Sequence, residues 1–276
     1  MADAEGQKKG QGPHLLSHSE DAILVLTLNR PDKLNALSPE IFDALGAEVV
    51  RFRDDPGLKV CLIRATGRFF CAGVDLKDQR GPKPSDSPEG SGIRLAHRIG
   101  GNGQSALCDE MEAIEKPFVV AHHAACLGGG LEISMSCDFR LAAHSARYSF
   151  PEGKFGSLPA TGGVSRLTRL VGTHWARYLI MANREVDAER ALAMGLVHEV
   201  WPDAEFDAQA MSFCRHLANQ HGEQMGAAKL AIEMAGDLGL AQSRNVERMA
   251  NSALFLSPHQ KQAMARHMAT LGKPKL

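Results

Sequence analysis

The first decisive pattern in the chain is an apolar, β-branched run, Ala22 to Leu28 (AILVLTL), that stops at Asn29-Arg30-Pro31-Asp32. A run of that length bounded by a turn signal reads as a strand entering a loop. Ser38-Pro39-Glu40 then opens a helix with a hydroxyl cap and a proline in first position, and Ile41, Leu45, Val49 and Phe52 share one of its faces. Lys59 to Ala65 (KVCLIRA) predicts a second strand, followed by the small-residue loop Thr66 to Asp75. From Gln79 to Gly103 the composition shifts to Gly, Pro, Ser and Asp, a loop long enough to suggest a functional role. Its Gly101-x-Gly103-x-x-Ala106 piece resembles a dinucleotide fingerprint only faintly, since no strand precedes it. Beyond it the pattern predicts a helix at Leu107–Ile114, a strand at Phe118–Ala121, a helix at Leu131–Cys137 and a strand at Phe139–Ala143. Thr161 is placed to cap a helix carrying Val164, Leu167 and Leu170. A weak strand, Leu196 to Val200, ends the alternation, and helices follow at roughly 204–220, 222–236, 239–256 and 258–270. The chain therefore divides into a tail, 1–13, expected to be disordered, an α/β core, 14–202, and a helical region, 203–276.

Composition narrows the class without changing this outline. With 276 residues, 44% hydrophobic and 23% charged, the chain can bury a large core. Thirty-one basic and thirty-two acidic residues leave a net charge of −1, which argues against general attraction to nucleic acid or anionic membranes. No apolar run reaches the length of a membrane span, and MADAEGQKKGQGP at the start holds no apolar signal-peptide core, so a cytoplasmic protein is expected. The six cysteines, at 61, 71, 108, 126, 137 and 214, form no C-x-x-C pair and read as reduced core residues. The twelve histidines include no H-E-x-x-H motif, and His122 and His123 point to opposite faces of a strand, so no metal is expected.

The chemistry-bearing stretch is Leu127-Gly128-Gly129-Gly130-Leu131-Glu132. Glycines at a strand-to-helix handover let a ligand approach unbonded amides, and the helix dipole favours an oxygen gaining negative charge there. Glu132 falls in the first helical turn, where it can move a proton in the same pocket. Taken alone, three glycines and a carboxylate read rather as a tight turn with a dipole-complementing side chain. A second carboxylate, Glu152, follows Tyr148-Ser149-Phe150-Pro151; standing alone it is a surface group in a Pro-Glu turn.

Five motifs in order make the pattern specific: Leu28-Asn29-Arg30-Pro31 with Asn35-Ala36-Leu37, then Phe70-Cys71-Ala72-Gly73-x-Asp75, the glycine triplet with Glu132, Cys137-Asp138, and Pro151-Glu152. Together, over roughly residues 14 to 256, they resemble the enoyl-CoA hydratase/isomerase, or crotonase, superfamily. The resemblance implies a spiral of ββα units in two stacked sheets, a C-terminal helical region that covers the pocket and builds a homotrimer or hexamer, and an acyl-CoA thioester as substrate. Coenzyme A would be part of that substrate, with no separate cofactor. The resemblance further implies main-chain donors to the thioester oxygen at Val74 and Gly129, an acid/base pair at Glu132 and Glu152, and CoA contacts at Ala36, Ala72 and Lys77. Asp75 would brace the loop that carries Val74, and Cys71 and Cys137 would serve packing.

Two glutamates favour hydration of a 2-enoyl thioester over isomerisation, while an enoyl- or dienoyl-CoA isomerase, a thioester hydrolase or a decarboxylase use the same enolate-stabilising pocket. A non-catalytic RNA-binding or assembly relative would show a basic surface or lack a glutamate, and a serine hydrolase would need a G-x-S-x-G elbow that the sequence lacks. Departures from the family pattern lie at His122, where an aliphatic residue is usual, in the polar Gln79–Gly103 loop, and near the C-terminus, where Lys273 and Lys275 are the remaining candidates for CoA contacts.

Overall fold

The computed structural model describes residues 12–77 and 103–271. The expected tail through residue 11, the Gln79–Gly103 loop except Gly103, and Lys273 and Lys275 lie outside the described residues. Among the described residues, ten strands form two sheets. The larger has six in the order β1 (Leu15–Glu20), β2 (Ile23–Leu28), β3 (Val60–Ala65), β5 (Phe118–His122), β7 (Phe139–Ala143) and β10 (Glu199–Trp201). The smaller orders β4 (Phe69–Cys71), β6 (Ala125–Leu127), β8 (Arg147–Ser149) and β9 (Val186–Asp187). The chain alternates between them. β3 then β4, β5 then β6, and β7 then β8 each give one strand to the large sheet and the next to the small one, and neighbours β3-β5-β7 and β4-β6-β8 pair in parallel. This is the expected ββα spiral.

Strand β2 is buried throughout, and apolar but for Thr27, because both its faces are covered. Ile23 and Val25 turn toward α6 (Phe206–Ala218), whose Phe206, Ala210, Met211 and Cys214 pack on that face. Leu24, Leu26 and Leu28 turn the other way and meet α1 (Pro39–Asp54) through Ile41, Leu45, Val49 and Phe52. The α1 stripe, the Ser38 cap to the Ile41 amide and Pro39 at the first turn are as the sequence predicts.

Four expectations need correction. Strand β1 is missing from the sequence reading because it is an edge strand whose central residues are exposed, so no apolar run marks it. The strand before the glycines is β6 and not Phe118–Ala121; three residues are too short to show a period. Helix α2 (Gln104–Ala113) starts three residues before Leu107, and α3 (Gly129–Met135) begins inside the glycine triplet. Thr161 does not cap the helix: α4 (Gly163–Ala176) has Gly162 as its N-cap, and the Thr161 hydroxyl oxygen is buried without a hydrogen-bond partner among the described residues. After the short α5 (Ala188–Ala193) and α6, the tail holds α7 (Gly222–Asp237), α8 (Leu240–Leu256) and α9 (Pro258–Thr270), close to the expected bounds. Among the described residues, no helix is long and apolar enough to cross a membrane.

Beneath α3 lies a buried polar chain. Ser134 Oγ donates to the Gly130 carbonyl at 2.8 Å, so His122 Nε2, 2.9 Å from that hydroxyl, is the donor to it. His122 Nδ1 then accepts from Tyr148 Oη at 3.1 Å. The imidazole is fully buried between Phe70 and Tyr148 rings, and burial, reinforced by the Arg140 charge, lowers its pKa to about 3. An unfolded histidine titrates near 6.5, so below that pH the unfolded chain binds a proton that the folded chain refuses until about pH 3. The neutral imidazole's contribution is complete above about pH 6.5 and is lost as pH falls, at up to about 1.4 kcal/mol per pH unit. Urea midpoints measured from pH 4.5 to 7 should climb more steeply for the native chain than for His122→Leu; parallel slopes would refute a neutral buried His122.

Candidate active site

The glycine turn joins β6 to α3 and has conformations only glycine adopts there. Gly128 sits at φ 49° and ψ −124°, and a Cβ on it would lie 2.4 Å from Glu152 Oε1. A Cβ on Gly130 would strike Cys71 Sγ at 2.6 Å, so the thiol fills the room the glycine leaves. Gly129 is the first residue of α3, and its amide has no intrahelical acceptor. Neither it nor the Val74 amide donates to another group among the described residues. Val74 is in a parallel bridge with Leu37, in which Leu37 donates to Gly73 O at 2.8 Å and accepts from Asp75 N at 3.0 Å. Leu37 thus bonds the residues on either side of Val74, and the Val74 N–H turns away from Leu37. A Cβ on Gly129 would come within 2.7 Å of Val74 Cγ2, which puts the two residues against each other.

The Val74 loop is braced from below by the first two motifs. Arg30 Nη1 pairs with Asp75 Oδ2 at 2.6 Å and donates to Ala36 O at 3.1 Å. Asn35 Oδ1 accepts from the Arg30 amide at 2.7 Å, and its Nδ2 donates to the carbonyls of Thr66 and Phe69. Asp75 therefore has the bracing position expected of it. Cys71 donates to the Asn35 carbonyl, and burial pushes its thiol up to about 12, so it is a packing group and not a thiolate. Cys137 is likewise buried, its thiol raised by desolvation.

Glu132 is buried, 4% exposed, one turn into α3. Its Oε1 accepts from the Thr161 amide at 2.8 Å and the Gly163 amide at 3.0 Å, at the start of α4. Gln104 Nε2 approaches its Oε2 at 3.4 Å and donates to the Gly129 carbonyl at 2.8 Å. Glu152 stands in the 3-10 turn Pro151–Phe155 with Oε2 buried and, among the described residues, without a hydrogen-bond partner. Burial raises its pKa above the ordinary carboxylate value, its own backbone opposes the rise, and the Glu132 charge adds to it. The two carboxyl groups thus lie within electrostatic reach at one turn, in unequal surroundings.

The structure brings Val74, Gly129, Glu132 and Glu152 to this turn. Ala36 and Ala72 are half-buried near it, Ala36 with its carbonyl taken by Arg30 and Ala72 with its amide donating to Leu34 O. Lys77 is exposed, its amide held by Asp75 Oδ1. Three contributors escaped the sequence reading: the Thr161 and Gly163 amides and the Gln104 side chain. The glycine pair at 162–163 before an apolar helix was the available signal for the first two; Gln104, beside a featureless loop, offered none.

The model for enoyl-CoA hydratase/isomerase matches residues 18–273. The chain belongs to the enoyl-CoA hydratase/isomerase family. It is 32% identical over 255 residues to a probable enoyl-CoA hydratase of Rhizobium meliloti strain 1021, covering 92% of this chain and 95% of the relative. It is 34% identical over 208 residues to a carnitinyl-CoA dehydratase of Salmonella enteritidis PT4, 75% of each chain. A crystal structure described as enoyl-CoA hydratase subunit I from Geobacillus kaustophilus HTA426 superimposes with a TM-score of 0.84 at 30% identity, over 95% of this chain and 97% of that one.

In this member of the family, the contact between Gly128 and Glu152 is directly testable. Gly128→Ala forces a left-handed backbone on a residue with a side chain and drives Cβ into the carboxyl group, and should cost about 2 kcal/mol or more in urea unfolding. Gly236→Ala, in open space within α7, should instead stabilise by about 0.5–1 kcal/mol. Native stability in Gly128→Ala would show that the turn relaxes without cost.

Proposed function

We propose that the chain is an enoyl-CoA hydratase that adds water across the 2,3 double bond of an acyl-CoA thioester. The observation that carries this reading is the pair of carboxyl groups at the glycine turn. Glu132 is oriented by donors from two helices, while Glu152 has its pKa raised by burial and by Glu132. Unequal surroundings are what divide a pair of carboxyl groups into acid and base.

The thioester oxygen accepts from the Val74 and Gly129 amides, which form the oxyanion hole and stabilise the developing enolate by about 3 kcal/mol per donor. Glu132 takes a proton from water as the water oxygen bonds to C3. The enolate collapses as Glu152 gives its proton to C2. Transfer of the proton from Glu132 to Glu152, directly or through solvent, restores the starting state. The Ala72 carbonyl faces the adenine, with Ala36 beside it, and Lys77 meets the CoA phosphates. The reaction asks for no cofactor beyond the CoA carried by the substrate. Two carboxyl groups favour hydration over a one-carboxylate isomerase.

Six buried free cysteines support a reducing compartment such as the cytoplasm. The apolar side chains left exposed on α7 and α8, among them Ile232, Leu240, Met249, Phe255 and Leu256, support assembly through the C-terminal helices into a homotrimer or hexamer. Light scattering of the intact chain should return three or six times the chain mass; a monomer at micromolar concentration would overturn the assembly.

Loss of the ultraviolet absorbance of crotonyl-CoA and of a longer 2-enoyl-CoA, with a product one water heavier, tests the reaction. Glu132→Gln and Glu152→Gln should each lower turnover about 10²–10⁴-fold while acyl-CoA binding persists. Native-like turnover in both variants would remove the assigned roles.

A further inference from the structure

Gln104 is the first residue of α2, 7% exposed, and its amide lies on the glycine turn. A Cβ on Gly129 would sit 3.1 Å from Gln104 Oε1 and 3.4 Å from Nε2, so the amide uses space that only glycine leaves open. Its Nε2 carries two N–H groups and faces two acceptors, the Gly129 carbonyl at 2.8 Å and Glu132 Oε2 at 3.4 Å. The flipped amide would set Oε1 against those same two acceptors, so the hydrogen-bond network fixes its orientation.

The other donors to Glu132, the Thr161 and Gly163 amides, both meet Oε1. The last side-chain torsion is broad and roughly two-fold, and turning about it moves both oxygens together, so a donor at Oε2 adds to the two at Oε1 in fixing it. Gln104 is the described group that holds Oε2, the oxygen left to meet a reacting water. The same Nε2 is bonded to Gly129, whose amide is a proposed donor to the thioester oxygen. One side chain thereby joins the proton acceptor to the oxyanion donor.

We propose that Gln104 is a positioning residue that sets the Glu132 carboxyl torsion relative to the Gly129 turn. This rests on the hydratase reading for its kinetic consequence, but its geometric consequence stands apart from the reaction. Gln104→Met keeps the length and removes both donors. Gln104→Glu keeps the size and sets an acceptor against two acceptors.

In hydration of crotonyl-CoA, Gln104→Met should lower kcat about 10- to 100-fold with KM within about threefold, the scale of a misplaced reacting group. Gln104→Glu should lose more. In a Glu132→Gln background, Gln104→Met should cost less than about twofold further, because the torsion it sets no longer serves a base. An equal loss in both backgrounds, or a rise in KM alone, would overturn the proposal in favour of general structural support. Crystal structures of the native chain and Gln104→Met give the second readout: the Glu132 carboxyl should leave its single torsion for two or more. An unchanged torsion overturns the proposal whatever the reaction. If the native chain binds enoyl thioesters without hydrating them, the hydratase reading fails while the crystallographic comparison still decides the role of Gln104.

Discussion

Two helix N-termini meet at one point in this fold, and the site depends on how their unbonded amides are shared. Helix α3 begins at Gly129, whose amide has no intrahelical acceptor. Helix α4 begins at Gly163, and its entry amides at Thr161 and Gly163 close on Glu132, a residue of α3. A buried carboxyl group on one helix thus satisfies the orphan donors of the other. Had the Thr161 hydroxyl capped α4, it would have competed with Glu132 for the Gly163 amide. The absence of a side-chain cap at Gly162 is therefore part of how the site is built.

The same economy runs through the supports. The positive-φ turn at Gly73, the Arg30–Asp75 pair and the Asn35 amide hold the Val74 segment from one side. The Tyr148–His122–Ser134 chain holds α3 from the core. Each is polar and buried, so each is costly unless every member is bonded. His122 is tolerated because both ring nitrogens have partners, one donating and one accepting, which is possible only for the neutral ring. An aliphatic residue there would fill similar space without joining β5 and β8 to the helix that carries Glu132.

Long-period features were legible in the sequence. The strand β2, the α1 stripe with its Ser38-Pro39 start and the four C-terminal helices follow from periodicity and capping, and the ordered motifs were enough to indicate the family and its spiral. What escaped were elements too short or too exposed to carry a period, such as β6 and β1, and groups that act through space. Nothing local distinguishes the Thr161 amide from any other, or makes Gln104 more than a polar residue beside a Gly-rich loop. Their roles arise from the superhelical return of the chain, which brings residues 25 to 31 positions from Gly129 and Glu132 onto one turn. Glu132 and Glu152 were legible as residues; their unequal surroundings were not.

That inequality follows from the spiral itself. Consecutive ββα units repeat the same path, so Glu132 and Glu152, one unit apart, approach the glycine turn from successive layers. Glu132 arrives at the first turn of a helix, facing the start of another, where amides are plentiful. Glu152 arrives in a 3-10 turn after Phe150 and Pro151, where Phe150 is buried, proline has no amide to give, and Glu152 Oε2 has no partner among the described residues. A carboxyl group desolvated beside a second acid holds its proton more tightly. The division proposed between a group that accepts a proton and one that delivers it thus follows the supply of backbone amides, which the strand and turn lengths of the spiral set.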